Sequence, residues 1–112
     1  MRPEFAKLMT HTITIMKIDK NFTGDLSVTE THTDIQAFVE YGKRQYVDKT
    51  GATVMAKAIV YLRDDAPVNP EHPTWKIAQT APYVRPEMTV MDIFPIDDPR
   101  DGLTHHYECY VQ

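Results

Sequence analysis

The chain has 112 residues, of which 42% are hydrophobic and 25% charged, and its formal net charge is −4. That length suits one domain with a modest core, and the composition is that of a globular chain rather than a disordered one. The acidic balance gives no global attraction to nucleic acid. The single Cys109 allows neither an internal disulfide nor a thiol metal cluster, and fits a reducing compartment.

Residues 1–9 read as an arm. Phe5, Leu8 and Met9 have helical spacing, but the segment is too short to hold a helix alone, so it is expected to pack on its own domain or on a neighbour. Nothing there resembles a signal peptide, and no window approaches a transmembrane helix. The chain is expected to stay in a cytoplasm-like compartment, away from membranes, unless an assembly carries it out. Thr10 to Ile18 alternates and is rich in β-branched residues, which predicts a strand. Asp19 to Asp25, with Asn21 and Gly24, predicts a turn. Leu26 to Glu40 is a further extended run, with Ile35, Ala37 and Val39 on one face and Phe38 on the other.

Val39 to Arg63 predicts a hairpin. Its first strand is polar and basic (Tyr41, Lys43, Arg44, Tyr46, Val47), and its turn is Asp48-Lys49-Thr50-Gly51. Its second strand places Val54, Ala56, Ala58, Val60 and Leu62 on one face and Met55, Lys57, Ile59, Tyr61 and Arg63 on the other. One face is thus expected on a core, and the other contacted or solvated.

Pro67, Pro70 and Pro73 then exclude a helix or a paired central strand and predict an ordered loop. Trp75 to Ala78 predicts a short strand, with Trp75 either anchoring the core or standing at an interface. Pro82 and Pro86 bracket an irregular piece. Glu87 to Ile96 predicts a strand with Met88, Val90 and Asp92 on one face. Asp97 to Gly102 is dense in turn formers. Leu103 to Gln112 predicts a closing strand with Leu103, His105, Tyr107, Cys109 and Val111 on one face. The fold class is therefore all-β: one domain over 1–112, a small β-barrel or sandwich of about six strands with long loops and an N-terminal arm.

The residues give little sign of chemistry. His105 and His106 are adjacent on a strand, so their side chains are expected on opposite faces and unsuited to chelating one ion. The Asp97, Asp98, Asp101 turn lacks the spacing of a calcium loop. Nucleotide-binding, hydrolase and zinc-protease motifs are absent, and Cys109 reads as a buried packing residue. The expectation is a protein that is not an enzyme and uses no metal or cofactor. Lys43 and Arg44 with Tyr41 and Tyr46 form a basic-aromatic cluster, which reads either as a guarded edge strand or as a contact for a nucleic-acid backbone or partner protein.

The run IQAFVEYGKRQYVDKTGATVMAKAIVYLRDDAPVNPEH resembles the middle of the head–tail joining proteins of tailed phages, the head-completion or stopper family. The features that carry the resemblance are Val47-Asp48, Gly51, Ala58-Ile59-Val60-Tyr61-Leu62, and Asp64-Asp65 with Pro70. Asp98-Pro99, Gly102 and His105-His106-Tyr107-Glu108 continue it, so it spans about residues 30 to 112. PEHPTWKI departs from the family pattern, which has a Pro-Gly-Asp loop there.

The resemblance implies a virion protein of the phage neck, assembled in the host cytoplasm. It would form a ring, hexameric or dodecameric, below the portal, closing the DNA-filled head and receiving the tail. The implied partners are further copies of the chain, a portal or adaptor protein, and a tail terminator or tail tube protein. Packaged DNA would be touched only weakly and without sequence preference. The implied channel loop falls on Tyr41, Lys43, Arg44, Gln45, Tyr46, Asp48 and Lys49. Phe5, Leu8, Pro67, Pro70 and Trp75 are candidates for subunit or partner contacts. Alternatives are a tail terminator or another minor neck or capsid protein and, in a different class, a monomeric β-barrel module binding a small ligand or nucleic acid.

Overall fold

The computed structural model describes residues 7–71 and 74–112. Phe5 and His72 lie outside the described residues, as does most of the expected arm. Six strands form: β1 (His11–Lys20), β2 (Leu26–Val47), β3 (Thr53–Arg63), β4 (Trp75–Ala81), β5 (Met88–Asp97) and β6 (Thr104–Val111). All pairings are antiparallel, and the order β1-β2-β3-β6-β5-β4 closes because β4 pairs with β1. The fold is a barrel, not a sandwich.

The interior follows from side-chain alternation. Ile13 and Ile15 of β1, Ala37 and Val39 of β2, and Ala58, Val60 and Leu62 of β3 point into one buried cluster. Ile77, Val90, Ile93, Cys109 and Val111 complete it with Trp75. Each large aliphatic member is worth about 1.5–3 kcal/mol of transfer free energy. Trp75 is 3% exposed and belongs to this core, so it is corrected out of the set of partner-facing residues. Its position at the inward start of β4 buries the indole and selects the core-anchor reading over the interface one.

Two expectations about strands need correction. The runs before and after Val39 are a single strand of 22 residues. Its first half pairs with β1 up to Ala37, and its second half pairs with β3 from Ala37 onward. Irregularities allow this change of partner. Asp34 has φ 57°, beside a register shift against Ile13 and Ile15, and Gly42 has φ 127°, inside the shift between Tyr41 and Arg44. Such bulges bend a strand and increase its twist. In β5, a register shift between Val90 and Asp92 breaks the expected face. Val90 and Ile93 turn inward, while Asp92 turns outward to meet Tyr46.

One seam of the barrel is short. β4 and β5 pair only from Trp75–Val90 to Ile77–Met88. Beyond Val90, β5 has no partner strand on that side among the described residues, and Pro95, which lacks an N–H, falls there. Ala66 and Val68, from the loop after β3, pack against the core. The proline-rich loop therefore helps complete the core.

Candidate functional site: a hairpin folded back on the barrel

The residues of the expected channel loop are mostly strand. β2 runs to Val47, and the turn is confined to 48–52. Asp48 organises that turn: its Oδ1 accepts from Thr50 N at 2.9 Å, Thr50 Oγ1 at 2.6 Å and Ala52 N at 3.0 Å. These bonds, the Thr50 hydroxyl first, hold the Asp48 carboxyl below its usual range. Gly51, at φ 90°, takes the left-handed position.

Beyond the barrel the hairpin alternates. Lys43, Gln45 and Val47 of β2 are exposed, as are Thr53, Met55 and Lys57 of β3. Tyr46 is buried. Its ring stacks on Tyr110 at 4.1 Å between centroids and meets Phe94 edge-on at 6.2 Å. Its hydroxyl donates to Asp92 Oδ2 at 2.5 Å. Burial, and then this bond to Asp92, push the Tyr46 phenol well above its ordinary range. At the tip, Lys49 Nζ donates to Pro70 O at 3.3 Å and lies 5.9 Å from the Phe94 centroid. Lys49, Pro70, Glu71, Asp92 and Ile93 border an open hollow of about 270 Å³. Two candidates from different parts of the sequence, Lys49 and Pro70, are thus brought together.

At the base of the hairpin, the Tyr41 hydroxyl donates to Gln79 Oε1 at 2.5 Å. Gln79 is the one buried polar residue in the barrel among the described residues. The Arg85 guanidinium lies 5.2 Å from the Tyr41 ring centroid. Burial raises the Tyr41 phenol, and Arg85 partly offsets this. Arg44 pairs with Glu40 one turn of the bulge away. Of the basic-aromatic cluster, Lys43 alone has neither an ion pair nor a ring contact among the described residues.

The other expected interface residues scatter. Leu8 is 57% exposed, while Met9 is buried. Both border an apolar hollow with Phe38, Glu40 and Tyr61. Pro67 is half-buried beside Asp34, Arg63 and Asp65, away from Lys49. The sequence reading missed Tyr110, Phe94, Asp92, Gln79 and Arg85. Only Gln79 left a signal, as the third inward position after Trp75 and Ile77.

The two adjacent histidines also differ from expectation. Their Nδ1 atoms lie 2.9 Å apart and their rings meet edge-on near the start of β6. His106 Nε2 lies 3.3 Å from Glu108 Oε2, and burial lowers the His106 pKa more than Glu108 raises it. No group of three or more His, Cys, Asp or Glu residues among the described residues is placed to hold a metal ion. Cys109 lies in the core, and burial pushes its thiol far up, away from the reactive range. At 98–103, Asp98 N donates to Leu103 O at 2.8 Å, and the Asp98 and Asp101 carboxylates accept backbone N–H groups, as a hairpin turn requires.

Comparison with protein-family models, with curated proteins and with solved structures finds no match for this chain.

Proposed function

We propose that this chain is a structural protein of a tailed-phage neck. Copies form a ring below the portal that closes the DNA-filled head and offers the surface for tail attachment. The observation that carries this reading is the shape of β2. It builds the barrel at its centre and extends from it at both ends as hairpins with exposed side chains. Such projections suit subunit-to-subunit contact more than a ligand cavity, and the motif run from Ile35 to His72 fits the same family. The portal or adaptor lies on one side of the ring and the tail terminator or tail tube protein on the other.

The cationic hairpin is the part of this chain that faces the channel. Weak contact is what a passage for sliding DNA needs, since each phosphate gripped adds to salt-dependent affinity. Lys43 supplies exposed charge there, while Arg44 is already paired with Glu40. Mass photometry of the purified chain tests the reading. Particles at a six- or twelve-fold multiple of the 12.9 kDa subunit support it. A protein that remains monomeric and binds a small ligand overturns it in favour of a barrel binding module.

A further inference from the structure

β2 is longer than its neighbours can cover. Leu26–Ala37 pairs with β1 on one side, and β3 joins the other side only at the Ala37–Leu62 pair. The eight residues Leu26–Thr33 therefore have one edge without a partner strand among the described residues. In the second hairpin, β6 joins β3 only at Ala58, so Thr53–Lys57 has β2 on one side and, among the described residues, no strand on the other. Unpaired strand edges are templates for another strand.

The first edge lacks some of the usual devices against edge pairing: Leu26–Thr33 contains no lysine, arginine or proline, and its guards are the Glu30 charge and the register shift at Thr29. It is rich in β-branched residues, and Leu26 and Val28 are exposed. The charges of the two edges are opposite. Residues 25–34 carry Asp25, Glu30 and Asp34 and no Lys or Arg. Residues 41–57 carry Lys43, Arg44, Lys49 and Lys57 against Asp48 alone, a charge of +3 within a chain of −4. Pairing either edge with its own copy sets like charges together, which disfavours a two-fold contact. Pairing one edge with the other sets Lys57 against Glu30.

We propose that copies of this chain join head to tail by strand addition, with Thr53–Lys57 of one copy pairing along Leu26–Thr33 of the next. Such a contact repeats from copy to copy and generates a ring when its rotation closes. The inference rests on the ring reading above and names the surfaces that build it.

The test uses the full chain, native mass spectrometry at low and high salt, and hydrogen exchange below and above the assembly concentration. Wild type is compared with Glu30→Lys, Lys57→Glu and the double variant. Both side chains are exposed, and circular dichroism checks the fold. Wild type assembles and slows exchange across 26–33. Each single reversal weakens association by about tenfold or more, and the double variant recovers it. Rings that persist unchanged in both single variants, or form without protection at 26–33, overturn strand addition and leave the ring reading standing. A wild-type chain that is monomeric at every concentration overturns both.

Discussion

The two hairpins that share β2 end differently. The β2–β3 hairpin folds back, with Tyr46 stacked on Tyr110, bonded to Asp92 and edge-on to Phe94, and with Lys49 reaching Pro70. Among the described residues the β1–β2 hairpin has no such anchor at its tip, where residues 20–31 are all exposed and Phe22 is fully so. The tip is stiffened from within instead. Asn21 Oδ1 accepts from Thr23 N at 3.0 Å and Asp25 N at 2.9 Å, and Thr29 Oγ1 donates to Asp19 Oδ2 at 2.5 Å. A buried aromatic thus ties one ribbon of the strand to its own barrel, while the other ribbon holds only its own internal bonds among the described residues.

The contrast breaks most severely if the anchor is removed. Tyr46→Ala is expected to cost about 3–5 kcal/mol, as for other buried aromatics cut to alanine, and to release the 43–57 ribbon. Thermal unfolding reads the first effect, and limited proteolysis near Lys49 reads the second. Gly42→Ala should cost about 1–3 kcal/mol, because φ 127° is strained for any side chain even though the space beside Gly42 is open. Denaturant unfolding measures it, and an unchanged midpoint would mean that the bend does not depend on glycine.

Tyr46→Phe keeps the stacking and loses the bond to Asp92, at a cost of about 1 kcal/mol. The same residue predicts a pH dependence. Its folded pKa lies above the ordinary value of 10.0, so its contribution is complete below pH 10 and is lost as pH rises beyond it. The raised phenols of Tyr41, Tyr61 and Tyr110 act in the same direction. Tyr46→Phe should flatten part of that alkaline decline in an unfolding series from pH 8 to 11. On the unanchored hairpin, Val28→Ala should change monomer stability by less than about 0.5 kcal/mol, because the side chain is exposed. A larger loss would show that this ribbon is anchored after all.

Much of the barrel was legible because alternation is local. Val54 to Leu62 announced the inward face of β3, and the Asp48–Gly51 turn was visible from its residue types. The long β2 was not, because Gly42 and a polar run look like the end of a strand, and nothing local shows that the chain continues with a new partner. The single-residue shift in β5 was equally silent, and it moved Asp92 from one face to the other. The site suffered most. Tyr46 reads as one more residue of a basic-aromatic edge until the fold brings Asp92, Phe94 and Tyr110 beneath it from far along the chain. Trp75 read as either a core anchor or an interface residue because its proline neighbours are local, while the core it fills is not.

The account turns on whether the unanchored ribbon is left over for another copy. Negative-stain microscopy of the purified chain at high concentration and low salt tests this most directly. The account predicts closed rings of six or twelve subunits. Monomers, or pairs related by a two-fold axis with no ring at any concentration, would contradict it.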